Sequence, residues 1–204
     1  MFITIEGGEG GGKSTNIAFM QKYLEASGQQ VIVTREPGGT QLGEKVREVL
    51  LNPEHKGMHD DTELLLMFAA RAQHITEVIK PALAQGKWVL CDRFTDATYA
   101  YQGGGRGINK ERIAILEQWV QGELRPDITL LFDLSVEVGM RRASERADLD
   151  RFEQEKLQFF ENVRACYLAM AKEYPKRYRV LNAEQSLEKV QQGIQKILDE
   201  ELAK

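Results

Sequence analysis

Hydrophobic positions along the chain fall into two alternating kinds of segment. Five short runs, residues 2–6, 31–34, 88–91, 128–134 and 178–181, are largely apolar and rich in β-branched residues. Runs of this length and composition read as strands buried on both faces of a sheet. Around them lie longer segments with apolar residues at helical spacing: 13–27, 41–51, 61–85, 110–121, 136–146, 151–172 and 186–202. Strand and helix taking turns in this way imply right-handed crossovers. The expected fold is therefore α/β, with three layers and a doubly wound parallel sheet of about five strands. Ligands of such sheets bind beyond the carboxyl ends of the strands, and the polar motifs of this chain fall there.

Composition narrows the picture only slightly. No internal repeat, low-complexity tract or long linker divides the 204 residues, so a single domain is expected. With 27 basic and 31 acidic residues the net charge is −4, which argues against a sequence-independent grip on nucleic acid. A local basic pocket for a phosphorylated small molecule remains compatible with it. The two cysteines, Cys91 and Cys166, form no CxxC pair, and Cys91 closes an apolar run as a buried thiol would. The opening MFITIEGG lacks the basic start and long apolar stretch of a signal peptide, and no run is long enough to span a membrane. A cytoplasmic protein without membrane or nucleic-acid partners is expected. His55 and His59 are separated by Gly57 and preceded by Pro53, so no helix aligns them for zinc.

The first candidate chemistry lies at residues 7–14, GGEGGGKS, which satisfy G-x-x-x-x-G-K-[ST] between a strand and a helix. Glycines let successive backbone amides point inward at phosphate oxygens, and the helix N-terminus adds partial positive charge. Gly7, Gly8, Glu9, Gly10, Gly11, Gly12, Lys13, Ser14 and Thr15 thus form a candidate cradle for ATP. Lys13 would neutralise the β- and γ-phosphates, and Ser14 would ligate Mg²⁺. An acid among phosphate-binding amides repels an anion, so Glu9 should face a neutral or donating group, or else solvent.

The acceptor side is less local. Arg35 stands at the end of the second strand in TREPGGT (34–40), where a second phosphate could dock. The third strand ends in Asp92-Arg93. Asp92 suits a Mg²⁺-bound water and Arg93 a forked contact to phosphate, although the two could equally form a plain ion pair. Phe68 and Arg71 share one helical face; together they suit a nucleobase, while Phe68 alone would read as core. Residues 99–107, YAYQGGGRG, read as a second, mobile Gly-rich segment.

Taken together, GGEGGGKST at 7–15, TREPGGT at 34–40, FAAR at 68–71, CDRFTDATYAYQGGGRG at 91–107, RPD at 125–127 and DRFE at 150–153 resemble the bacterial thymidylate kinases over nearly the whole chain. The resemblance implies a P-loop nucleoside monophosphate kinase fold with a mobile lid at about 141–152. It also implies transfer of the ATP γ-phosphoryl group to dTMP with Mg²⁺, yielding dTDP for dTTP biosynthesis, in a homodimer. By the same resemblance Arg35 and Arg93 hold the acceptor phosphate, and Arg71, Thr98 and Gln102 contact thymine. Tyr101 sits where a 2′-hydroxyl would project, Glu9 lies near the sugar, and Glu36, Pro37, Arg47 and Met67 complete the acceptor set. The family's stacking Phe usually lies four residues before the Arg, where Met67 stands, so either Met67 or Phe68 faces thymine. No arginine occupies positions 8–11, whereas the stretch from Arg141 and Arg142 to Arg146 and Arg151 is basic. That matches the lid-arginine type, with Arg146 joining Lys13 and Arg93 as catalytic residues and Arg142 on the bound nucleotide. Rival readings are another nucleotide or nucleoside kinase of this fold, or a nucleotide-dependent switch. The N-K-x-D motif usual in GTP readers is absent.

Overall fold

The computed structural model describes residues 1–145 and 150–203. Five parallel strands form one sheet in the order β2-β3-β1-β4-β5: β1 Phe2–Glu6, β2 Val31–Arg35, β3 Trp88–Asp92, β4 Ile128–Asp133 and β5 Tyr178–Asn182. Each lies within one residue of the segment expected from hydrophobicity. Burial on both faces holds for β1, β3 and β4 but not for the edges, where Val33 and Val180 are exposed. An edge strand has a neighbour on one side only and lies at the margin of the helical layers.

The helices are α1 Lys13–Ala26, α2 Gln41–Leu51, α3 Asp60–His74, α4 Lys80–Ala84, α5 Thr95–Thr98, α6 Lys110–Gln121, α7 Val136–Ser144, α8 Leu157–Glu173 and α9 Leu187–Leu202. One layer is α1 and α9, whose Met20, Leu24, Ile194 and Leu198 pack on Ile3, Ile5, Leu130 and Phe132. The other contains the α3–α4 arm, with Ile75 and Ile79 on Phe2 and Val89, and α8, with Tyr167 and Phe160 in the cluster around Leu131. No helix among the described residues is long and apolar enough to cross a membrane.

Three expected elements differ. The single helix at 61–85 is divided by a widened π-helical turn, Ile75–Ile79, just before Pro81. Proline has no amide donor and crowds the carbonyl four residues back, so the regular ladder cannot run through. The helix expected at 151–172 starts only at Leu157, because Asp150 Oδ1 accepts from the amides of Phe152 (2.8 Å) and Glu153 (2.9 Å) and makes a turn instead. The segment read as mobile is ordered: Tyr99–Gly105 continues α5 as a second π-helical stretch. Its glycines serve contact with α8, since a Cβ on Gly104 would stand 2.9 Å from Cys166 Cβ and one on Gly105 would collide with the Phe159 ring.

Candidate active site

The glycine loop leaves the sheet at Glu6 and ends where Gly12, at φ 75°, opens α1. Lys13 is buried and folds back over the loop, its Nζ donating to the carbonyls of Gly8 (2.7 Å) and Gly7 (3.2 Å). Burial and the nearby Arg93 charge lower its pKa. Ser14 reaches the cleft, whereas Thr15 points to solvent on the first turn of α1. Behind the loop α7 approaches backbone to backbone: a Cβ on Gly139 would lie 2.5 Å from the Glu9 carbonyl oxygen, and one on Gly10 would collide with the Gly139 carbonyl. Arg142 donates to Ala183 O (2.9 Å) and Gly10 O (3.5 Å), bracing the loop from that side.

Strand register sets the acceptor side against this loop. Arg35 and Ile5 both pair with Asp92, so the ends of β1, β2 and β3 lie level. Asp92 and Arg93 do not pair with each other. Arg93 takes a left-handed backbone, φ 69°, and its amide donates to Ile5 O at 3.0 Å. The next amide, of Phe94, donates to Glu6 Oε1 at 2.7 Å. The Arg93 guanidinium thereby meets Glu9 Oε1 at 2.5 Å and lies 4.6 Å from the Tyr101 ring centre, while the Tyr101 hydroxyl donates to the same oxygen at 2.8 Å. The loop acid faces donors. Burial alone would raise the Glu9 pKa, but Arg93, Lys13 and these hydrogen bonds hold it at about 2. Glu6, wholly buried, also accepts from the Tyr167 hydroxyl at 2.7 Å; burial and the charge of Asp96 push its pKa up to about 8.

The far end of the cleft is built on Arg71. Its Nε donates to Glu36 Oε2 at 2.7 Å, and its Nη2 to Thr98 Oγ1 at 3.0 Å and Phe94 O at 3.3 Å. The second Glu36 oxygen bonds His74 Nδ1 at 2.8 Å, and the other His74 nitrogen bonds Thr34 at 2.6 Å. Glu36 therefore acts as a bracket for Arg71. Arg71 Nη1 is buried with no hydrogen-bond partner among the described residues, so a donor stands ready for an acceptor atom. Phe68 is not brought to the cleft. It lies 2% exposed in a core with Leu64, Ile108 and Ile113, stacked 4.7 Å behind the Arg71 guanidinium, and Met67 lines the cleft in its place. The aromatic plate expected at Phe68 is thus corrected: the rotation of α3 turns position 67 outward. Arg47 donates to Pro37 O at 3.0 Å, and Arg35, half exposed, pairs with Glu44 at 2.7 Å on the rim.

These groups line one cleft of about 250 Å³, running from Lys13 and Ser14 to Arg71 and Gln102. Its volume, just below the ~300–1,000 Å³ usual for small-molecule sites, suits a mononucleotide. The residue-by-residue reading missed Leu51, Phe94, Ala97, Asp150 and Phe152, which also line it. Phe94 and the DRFE stretch had stood in the motifs without a role. Arg146, expected to be catalytic, lies outside the described residues. Arg151, at the end of the same basic stretch, is buried, donating to Leu50 O at 2.7 Å and pairing with Glu63 at 2.6 Å. Asp92 Oδ1 is buried without a hydrogen-bond partner among the described residues, on the cleft wall that also carries Ser14. A hard oxygen donor left unsatisfied beside a hydroxyl and a phosphate cradle fits Mg²⁺, which takes few protein ligands and keeps its waters.

A glycine loop at a helix N-terminus facing an arginine-lined wall across one cleft, at the carboxyl edge of a 2-3-1-4-5 parallel sheet, places the molecule among the P-loop nucleotide kinases. A family model described as thymidylate kinase matches residues 5–194. The chain is 63% identical over 200 residues to the thymidylate kinase of Pseudomonas syringae pv. tomato, covering 98% of this chain and 95% of that one. It is 64% identical over 198 residues to that of Pseudomonas putida, covering 97% and 94%. The crystal structure of thymidylate kinase from Ehrlichia chaffeensis superposes with a TM-score of 0.80 at 36% identity, covering 98% of both chains. The chain belongs to the thymidylate kinase family.

Proposed function

We propose that this chain phosphorylates dTMP to dTDP with ATP, and that the residues described above divide the work. The observation carrying this reading is the continuity of the glycine-loop cradle with the Arg71 pocket in one cavity. The acceptor is itself a phosphate, ionised at neutral pH, so its oxygen attacks without a general base. Catalysis then rests on positioning and charge stabilisation.

At the donor end the loop amides and Lys13 hold the β- and γ-phosphates, with Arg142 supporting the loop. Ser14 and Asp92 would hold Mg²⁺, which neutralises phosphate oxygens when bound. Arg93, Arg35 and Arg47 receive the dTMP phosphate. Arg93 is presented by its left-handed backbone, which side chains other than glycine adopt at a cost. Glu9 and Tyr101 line the sugar, and the Tyr101 ring occupies the space of a 2′-hydroxyl. Arg71 donates to a base carbonyl, Thr98 and Gln102 complete the edge contacts, and Met67, Phe94 and Phe152 flank the ring. The segment at about 141–152 acts as a lid that delivers Arg146 to the transferring phosphoryl group. Homodimer formation is supported by exposed Leu65 on α3 and by Ile115 and Trp119 on α6, which packs against α3.

A coupled assay across nucleoside monophosphates tests the reading. dTMP should be preferred, with dUMP reacting poorly, since one methyl in an apolar pocket is worth roughly 1–3 kcal/mol. Equal kcat/KM for dTMP and dAMP would overturn it.

A further inference from the structure

Glu63 sits on α3, wholly buried, and is not among the residues lining the cleft. Its oxygens nevertheless collect hydrogen bonds from Gln102 and Arg106 and an ion pair from Arg151. Oε1 accepts from Gln102 Nε2 at 2.8 Å and Arg106 Nε at 3.3 Å, while Oε2 meets Arg106 Nη2 at 3.3 Å and Arg151 Nη2 at 2.6 Å. A carboxylate between two guanidinium groups accepts and does not donate. The Gln102 amide must therefore turn its NH₂ toward Glu63, which leaves its carbonyl oxygen directed away from that partner. Gln102 lines the cleft, as does Arg71 with its unpartnered Nη1. The pocket thus offers an acceptor at Gln102 and a donor at Arg71.

We propose that Glu63 is a specificity-determining positioning residue: by fixing the Gln102 amide, it selects thymine against cytosine. Thymine carries a ring N3–H and a C4 carbonyl, which complement that acceptor and donor. Cytosine carries a bare N3 and a C4 amino group, so acceptor would face acceptor and donor would face donor. An unrestrained glutamine could present either end of its amide and would discriminate less. The inference rests on the reading of the Arg71 pocket as the base site.

The test compares wild type, Glu63→Gln and Gln102→Leu with dTMP and dCMP as acceptors, alongside the melting temperature of each protein without ligand. In E63Q the introduced amide can donate as well as accept, so Gln102 is free to reverse. The dTMP:dCMP ratio of kcat/KM should fall by about tenfold or more, through KM for dTMP, with KM for ATP changed by less than about twofold. E63Q also leaves Arg106 and Arg151 against a neutral group. The double variant E63Q/R151M removes one of those cations and carries the measurement if the single variant unfolds. A folded variant lacking Glu63 that retains the wild-type ratio overturns the role of Glu63. Q102L retaining that ratio overturns the base-site reading of Gln102, and this inference with it. Loss of the ratio in Q102L but not on replacing Glu63 overturns the Glu63 role alone.

Discussion

The two ends of the cleft are made of different material. The donor end is built around the main chain of one contiguous stretch, residues 7–14, with Lys13 and Ser14 adding side chains from within it. At the acceptor end the cleft is lined by side chains from several separate segments, held by buried partners such as Glu36 and Glu63. A backbone cradle tolerates changes of side chain but not added volume, because α7 lies directly against it. A side-chain pocket behaves in the opposite way: it fails when a partner is removed. One end is written locally, and the other is assembled.

The largest expected effect tests the donor end. Lys13→Ala should lower turnover by ~10³ or more if, as proposed, the lysine charge stabilises the transferring phosphates. Its buried bonds run only to loop carbonyls, so the ligand-free melting temperature should move by less than about 2 °C. Near-normal turnover would refute the loop assignment. Next, Arg146→Ala should reduce kcat at least tens-fold, an arginine finger being worth on the order of 10³–10⁵. KM for dTMP should shift far less. Arg151 is already committed to Glu63 and Leu50, and is not expected to substitute. Unchanged kcat with a raised KM for ATP would assign Arg146 to binding instead.

Two arginines sharpen the contrast within the acceptor end. Arg71 is 2% exposed and pairs with a buried Glu36, whereas the Arg35 side chain is 53% exposed and pairs with Glu44 on the rim. Arg71→Leu should cost about 3–5 kcal/mol of stability by stranding Glu36, and Arg35→Ala under about 1 kcal/mol. Both should raise KM for dTMP. Denaturant titration beside steady-state kinetics separates the two quantities, and equal stability losses would show that burial does not govern them.

Added volume should break the donor end selectively. Gly139→Ala brings a methyl against the Glu9 carbonyl and should cost about 1–3 kcal/mol. KM for ATP should rise more than KM for dTMP; the reverse would mean that α7 serves the acceptor. The smallest effect concerns Glu6, whose oxygens fasten the turn presenting Arg93. Its folded pKa, about 8, lies above the ordinary 4.5, so the folded state holds the proton more tightly. The stability tied to that proton is therefore present below about pH 4.5 and lost as pH rises through about 8. Relative to wild type, Glu6→Gln should gain stability over that interval. A stability difference independent of pH would show that Glu6 titrates normally.

How much of this was legible beforehand follows the same division. The glycine loop could be read because its chemistry depends on neighbours in sequence: a strand, glycines able to take positive φ, a lysine and a helix start. The alternation of strand and helix, and with it a layered parallel sheet, followed from periodicity for the same reason, whereas the strand order came only with the fold. Periodicity could not tell whether Met67 or Phe68 faces the cleft. Adjacent helical positions differ by about 100°, and only the packing of α3 on Ile108 and Ile113 chose between them. The glycines at 103–105 suggested freedom, yet the missing side chains of Gly104 and Gly105 serve close contact with Cys166 and Phe159. Those contacts join residues more than fifty positions apart.

The sequence by itself determined the alternation of strand and helix, the phosphate loop and the supply of arginines and carboxylates around it. Tertiary structure alone decided the pairings: Glu36 with Arg71, Glu9 with Arg93, and Glu63 with Gln102 and Arg151. The reason is physical. Local backbone preference is set by neighbouring residues, whereas a buried charge takes as partner whichever opposite group the packed fold brings within a few ångströms.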